Sequence, residues 1–172
     1  MGNSININFF QLFQFAAILL TGLLAGLFYG YTCSVIKGLG NLQDEVYLQS
    51  FQSIDKAIQN LYFFISFMGS LLVLPIATWL SYKNFGPATF HLLLSATLIY
   101  LVGVFGVTIF RNVPLNDQLA KFSISTSTTN EIAAMRKAFE KPWNTYHTIR
   151  TIAALISFSL AILSIIKANA DQ

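Results

Sequence analysis

Long apolar runs set off by short charged stretches organise this chain. No charged residue occurs between Met1 and Ile36, and apart from Lys83 none occurs between Ala57 and Phe110. A helix of roughly 20 apolar residues crosses a hydrocarbon core about 30 Å thick. The pattern therefore predicts four membrane spans, at about 9–36, 61–82, 88–110 and 143–166. The first run lacks the cationic start of a signal peptide and is too long for one, so it is expected to be a retained span.

The segments between the spans carry helical periodicity of their own. Tyr47, Phe51, Ile54, Ile58, Leu61 and Ile65 follow one another in steps of four and three, a single stripe of a helix that runs into the second span. Asp44 is the expected N-cap. One unbroken helix from Asp44 to Tyr82 would measure about 58 Å. In the third connection Pro114 is expected to open a turn, Leu115, Leu119 and Phe122 to line a short amphipathic helix, and Ser125 to Thr129 to break it. Thr128 with Glu131 forms a capping box ahead of Ile132, Met135 and Phe139. Lys141-Pro142 is expected to end that helix and begin the last span. The predicted fold is all-α: a membrane four-helix bundle with an amphipathic extension at 44–60 and a helical cap at 112–142, a single integral membrane domain over 1–172.

Composition agrees. The chain is 55% hydrophobic and 10% charged, against roughly 25% charged in a soluble domain. Cys33 is the sole cysteine, which excludes an internal disulfide and a thiolate metal cluster. The net charge of +3 contains no long basic tract, so nucleic acid is not an expected partner. The first and third connections hold eight Lys and Arg residues, against two in the second connection and the carboxyl tail. That excess places those connections in the cytoplasm and both termini outside it, as in a multi-pass protein of a bacterial inner membrane. Gly22, Gly26 and Gly30 form a small-residue stripe expected to pack within the bundle. Spans two and three carry no charge at mid-depth, which argues against a proton pump or ion-coupled transporter.

The remaining polar residues gather at the cytoplasmic end: Tyr29, Ser34, Lys37, Asp44 and Glu45, then Gln52, Asp55 and Asn60, then Arg111, Asn112, Asn116 and Asp117, and finally Trp143, His147 and Arg150. His147 lies four residues after Trp143 and three before Arg150, on one helical stripe. Trp143 is either a ring-binding residue or a belt residue at the interface. Arg150 lies two turns deeper, where a charge calls for a partner, and Asp44, Asp55 or Asp117 could supply it. His91 belongs to the opposite surface, so it cannot join His147 in a bis-histidine site. No cofactor follows from the sequence. Asp44, Glu45, Asp55, Asp117 and His147 offer one nitrogen and several oxygens to a metal, without a spacing such as HExxH to fix one, and a haem is left open.

Gly26-Leu-Phe-Tyr-Gly30, Gly38-Leu39, Leu42, Asp44, Tyr47, Phe51-Gln52, Ile54, Ala57-Ile58 and Asn60, followed by Val113-Pro114-Leu115-Asn116 and by Trp143, His147 and Arg150, resemble the motifs of the anthrone-oxygenase-like membrane proteins. The resemblance covers about 26–155. It implies oxygenation of a polycyclic anthrone to an anthraquinone, with no elaborate cofactor. An anthrone has an acidic carbon, so His147 is the expected base, with Arg150 or Arg111 stabilising the enolate. Trp143, Tyr29, Asn60, Asn116 and Gln52 are the expected substrate contacts, and Asp44, Asp55 and Asp117 the charge partners. The competing expectation is a non-catalytic membrane protein that binds a lipophilic small molecule, or a subunit of a homo-oligomer or larger membrane complex.

Overall fold

The structure, a computed structural model, describes residues 9–170. It consists of α1 (Phe9–Gly40), α2 (Asp44–Ile58), α3 (Leu61–Asn84), α4 (Pro87–Ala120) and α5 (Thr129–Ala170). A single 3-10 turn, Ile124–Thr126, lies between the last two. Among the described residues there is no strand, and the fold is the expected all-α bundle. Helices α1, α3, α4 and α5 are each long and apolar enough to cross a membrane, which makes the protein an integral membrane protein.

The four long helices form a ring in which α1 and α4 each pack against both α3 and α5. Leu12, Phe15, Leu19, Leu72, Ile152 and Leu163 point outward, as lipid-facing positions require. Inside, Leu24, Phe28, Phe67, Leu74, Ala96, Tyr100, Val104 and Ala153 form the central layer. Hydrogen bonds tie the helices together where apolar burial gives no drive in lipid. Gln14 donates to Ser164 Oγ (2.9 Å), Thr78 and Thr97 share a bond of 2.8 Å, and Tyr100 Oη donates to the Phe67 carbonyl (2.6 Å). Such bonds contribute about 0.6 kcal/mol each within a membrane.

At one end the amphipathic stripe of α2 closes over the bundle. Tyr47, Leu48 and Phe51 pack with Leu39, Leu119, Ile124, Ile132, Phe139 and Trp143 in one apolar layer. The first and third connections therefore share a face. Arg136 of α5 clamps the α1–α2 link: it pairs with Asp44 (2.9 Å) and Glu140 (2.8 Å), donates to the Leu42 and Gly40 carbonyls, and lies over the Tyr47 ring at 4.4 Å.

Five local expectations are corrected. The stripe from Tyr47 to Ile65 is not one helix. Asn60 leaves helical geometry (φ −126°, ψ 167°) and caps α3 by accepting from Phe63 N at 3.1 Å, while its amide donates back to the Ala57 carbonyl. Asp44 is the first residue of α2 rather than its N-cap, which is Gln43; its charge instead meets Arg136. Pro142 does not end a helix, since α5 continues through it and only one main-chain bond is forfeited. Pro114 opens no turn. It follows wide i→i+5 turns at Tyr100–Gly106 and Thr108–Asn112, which let α4 carry on. The glycine stripe divides as well. A Cβ at Gly22 would come within 2.8 Å of Phe158, whereas Gly26 and Gly30 face open space.

Candidate functional site

Where α2 meets the ends of the four long helices, a cavity of about 640 Å3 remains. Every one of the five helices contributes to its wall. Phe28 and Tyr31 come from α1, Phe51, Ile54 and Asp55 from α2, Phe63 and Phe67 from α3, Thr108, Asn112 and Asn116 from α4, and Trp143, His147 and Arg150 from α5. Leu27, Phe64, Ile109 and Val113 also line it and are exposed on the outside of the bundle. The wall thus reaches the apolar surface that faces lipid.

The helical spacing seen in the sequence becomes a stack. The Trp143 and His147 rings lie parallel, 5.0 Å apart with 8° between their planes. Tyr31 leans on both, at 5.6 and 5.3 Å, and Phe28 meets His147 edge-on at 5.6 Å. Arg150, 8% exposed, spreads its guanidinium over Phe28 (4.5 Å) and Trp143 (5.2 Å). Among the described residues no carboxylate forms an ion pair with it. The expected Arg150 salt bridge to Asp44, Asp55 or Asp117 is absent, and rings with one imidazole nitrogen take its place.

That nitrogen fixes the histidine tautomer. Arg150 Nε and Nη2 donate to His147 Nδ1 at 3.2 and 3.1 Å, and a guanidinium has no lone pair to receive a proton bond. Nδ1 is therefore the acceptor and Nε2 carries the hydrogen. Each neighbour of Nε2 can accept: the Phe28 carbonyl at 3.2 Å, Thr32 Oγ1 at 3.1 Å and Thr151 Oγ1 at 3.3 Å. Arg150 Nη1 completes the set with Thr108 Oγ1 at 3.4 Å.

A second chain of bonds enters from α2. Asn116 donates to Asp55 Oδ1 and accepts from Trp143 Nε1 at 2.7 Å, so the carboxylate and the ring stack share one amide. Gln59 approaches Asp55 Oδ2 at a long 3.5 Å. Burial, and then the charge of Asp117, push the Asp55 carboxyl above its ordinary range, while Gln59, Arg150 and Asn116 pull the other way. Asn112 donates to the Trp143 carbonyl at 3.3 Å. Its own Oδ1 is buried without a partner among the described residues.

The cavity gathers Trp143, His147, Arg150, Asn60, Asn116, Asp55 and Asp117 from the expected site. It does not gather Tyr29, Arg111, Gln52 or Asp44. Tyr29 is 57% exposed on the outer face of α1. Arg111 sits over the Tyr146 ring at 5.6 Å. Gln52 donates to the Leu119 and Phe122 carbonyls, closing the end of α4. His91 contacts the Pro87 carbonyl at the opposite end of the bundle. Tyr31 and Thr108 are wall residues that the sequence did not single out for this role, whereas Asn112 was expected at this face and Phe28 was covered only by the general expectation that phenylalanines line the site. For Tyr31 the available signal was its three-residue step from Phe28.

Residues 61–160, more than half of the chain, match the model of the anthrone oxygenase family. The chain belongs to the anthrone oxygenase family. No curated protein and no solved structure matches it. The part matched to the anthrone oxygenases holds α3, α4 and most of α5, and with them Asn112, Asn116, Trp143, His147 and Arg150. Tyr31 of α1 and Asp55 of α2 lie before it. The resemblance noted over 26–60 therefore falls outside the matched residues, and the α1 and α2 side of the cavity rests on geometry alone.

Proposed function

We propose that the protein oxidises a flat, lipophilic aromatic or quinol-like carbon acid with molecular oxygen, after base-assisted loss of a proton. The observation that carries this is Arg150, a cation on the wall of an apolar cavity with no carboxylate paired to it among the described residues. Such a group is suited to an anion that develops on the bound molecule, because electrostatic stabilisation is strongest where water is scarce and the donor is already oriented. His147 and Thr108 hold the guanidinium fork in place. Phe63, half-buried, and the exposed Phe64 and Leu27 on the same wall offer apolar surface to an aromatic ring, and Asn60 and Asn116 offer amides to its oxygens. For an anthrone the balance is one CH2 and one O2 giving C=O and water.

Oxygen uptake by detergent-purified protein supplied with an anthrone is the test. The parent is expected to consume oxygen, and Arg150→Lys, which keeps the charge and loses the fork, to be slower by about 10²–10³-fold. A parent that consumes none would remove the oxygenase reading.

The interlocked Asp55, Asn116 and Trp143 favour a second reading, in which the polar cluster latches α2 onto a non-catalytic protein that binds a lipophilic molecule. In that case Asp55→Ala lowers the melting temperature and the parent retains an anthrone without consuming oxygen. We place the cavity end on the cytoplasmic side, from the excess of Lys and Arg there.

A further inference from the structure

The oxygenase reading requires a base, and the structure leaves His147 badly placed to be one. Its Nδ1 lone pair is occupied by two N–H groups of Arg150. Its Nε2 carries the proton and points it at the Phe28 carbonyl and two threonine hydroxyls. The residue is 1% exposed, so its edges are spent on protein and little of it meets the cavity. The wall also carries two carboxylates, Asp55 and Asp117. Asp117 is exposed, whereas Asp55 is half-buried. Asp55 is also held in position. Asn116 fixes Oδ1, and Trp143 fixes Asn116, so the carboxylate is registered against the ring stack that would bear on an aromatic ligand. Oδ2 has only the long contact to Gln59, which leaves a lone pair available.

We infer that Asp55, resting on the oxygenase reading above, is the group that removes the proton from the bound carbon acid, with Arg150 as the anion's counter-charge. The C–H bond breaks, its hydrogen forms an O–H bond on Asp55 Oδ2, and the electron pair moves through the ring system to the ketone oxygen as an enolate. Molecular oxygen then oxidises that anion. Asp117, exposed on the same wall, offers the proton a route to water. The groups that set the ionisation of Asp55 are Asp117 and Asn116 of α4, Arg150 of α5 and the adjoining Gln59, with Tyr31 of α1 also interacting with it. Burial and Asp117 raise its affinity for a proton, which suits a base.

Proton removal can be read without oxygen. In deuterated buffer under anaerobic conditions, exchange of the acidic CH2 hydrogens of an anthrone is followed by mass spectrometry with detergent-purified protein, and oxygen uptake is measured in parallel. The parent is expected to speed exchange. Asp55→Asn keeps an oxygen for Asn116 to bond and should melt near the parent, yet lose about 10²–10⁴-fold in exchange rate; Asp55→Glu should recover part of it. The parent rate should rise with pH through one ionisation, and Asp117→Asn should move that midpoint to lower pH by removing a neighbouring negative charge. Exchange by Asp55→Asn at the parent rate overturns the assignment. If that variant does not fold, a midpoint unmoved by Asp117→Asn overturns it instead. A parent that exchanges hydrogens but takes up no oxygen removes the oxygenase reading while keeping Asp55 as a base. A parent that takes up oxygen with unchanged Asp55→Asn exchange does the reverse, and a parent that does neither removes both.

Discussion

The α4–α5 contact that holds Thr108 and Asn112 against Arg150 and Trp143 depends on a missing methyl group. A Cβ added to Gly103 would lie 2.5 Å from Ala153 Cβ and 3.9 Å from Ala153 Cα. Ordinary carbon contacts are about 3.5–4.0 Å, so Gly103→Ala must drive the two helices apart by roughly 1 Å or more. Overpacking of this kind costs about 1–3 kcal/mol, offset by up to about 1 kcal/mol because Ala is the better helix former. The single variant is thus an ambiguous measure, and a double-mutant cycle is a clean one. In an Ala153→Gly background the clash disappears, leaving a 3.9 Å contact, so Gly103→Ala should be harmless there. The expected coupling is about 1–3 kcal/mol. For a chain of this length that corresponds to about 2–12 °C in melting temperature, readable by tryptophan fluorescence in detergent. A coupling below about 0.5 kcal/mol would mean that the helices do not approach as closely as described, and the placement of Thr108 beside Arg150 would fall with it.

Two further outcomes follow from the cap. Arg136→Ala deletes two ion pairs and two bonds to the carbonyls of Gly40 and Leu42; the α1–α2 link should then be cut by protease at least several-fold faster, while a rate equal to the parent's would show that the clamp is dispensable. Asp55 makes stability depend on pH in a definite direction. Its unfolded carboxyl ionises near 3.8 and its folded one higher, so between the two the unfolded chain releases a proton that the folded chain keeps. Its contribution is full below 3.8 and is lost as pH rises through the folded value. Melting temperatures taken from pH 4 upward should fall over that window in the parent, and the slope should shrink in Asp55→Asn; an unchanged slope refutes the assignment.

The bundle itself was legible because a membrane span announces itself by length and by lack of charge, and the four runs in the sequence became four helices. The side of the protein that holds the cavity was legible too, since Lys, Arg, Asn and Asp all collect there. What could not be read was which face each residue takes at the helix ends. Between Tyr31 and Val35, and again from Tyr100 to Asn112, the backbone adopts wide turns, so counting by 3.6 residues loses register where the site is built. Tyr29 precedes those turns; it was expected inside for its ring and its place at the span exit and faces out, while Tyr31, three residues after Phe28, faces in. Arg111 was expected at the site, yet its neighbour Asn112 occupies the wall. The partner of Arg150 was hidden for another reason. Sequence spacing favours carboxylates as counter-charges, but it cannot show that rings from α1 and α5 will surround a cation.

The wide turns of α4 set the register of the half that follows them. Each residue of an α-helix turns the chain by about 100°, and the stretch Tyr100–Gly106 accommodates its residues in fewer, broader turns. Removing one residue from it would let the helix revert to ordinary pitch, and the tighter turns would restore most of the rotation that the lost residue supplied, so Asn112 and Asn116 would stay near Trp143. Removing one from the ordinary helix at Pro87–Ile99 would instead swing everything beyond it by about 100°; Asn112 and Asn116 would then leave Trp143, and Asp55 would lose its amide. The arrangement at this site is specified by arithmetic as much as by chemistry, and where along α4 a residue is lost is expected to matter more than which residue it is.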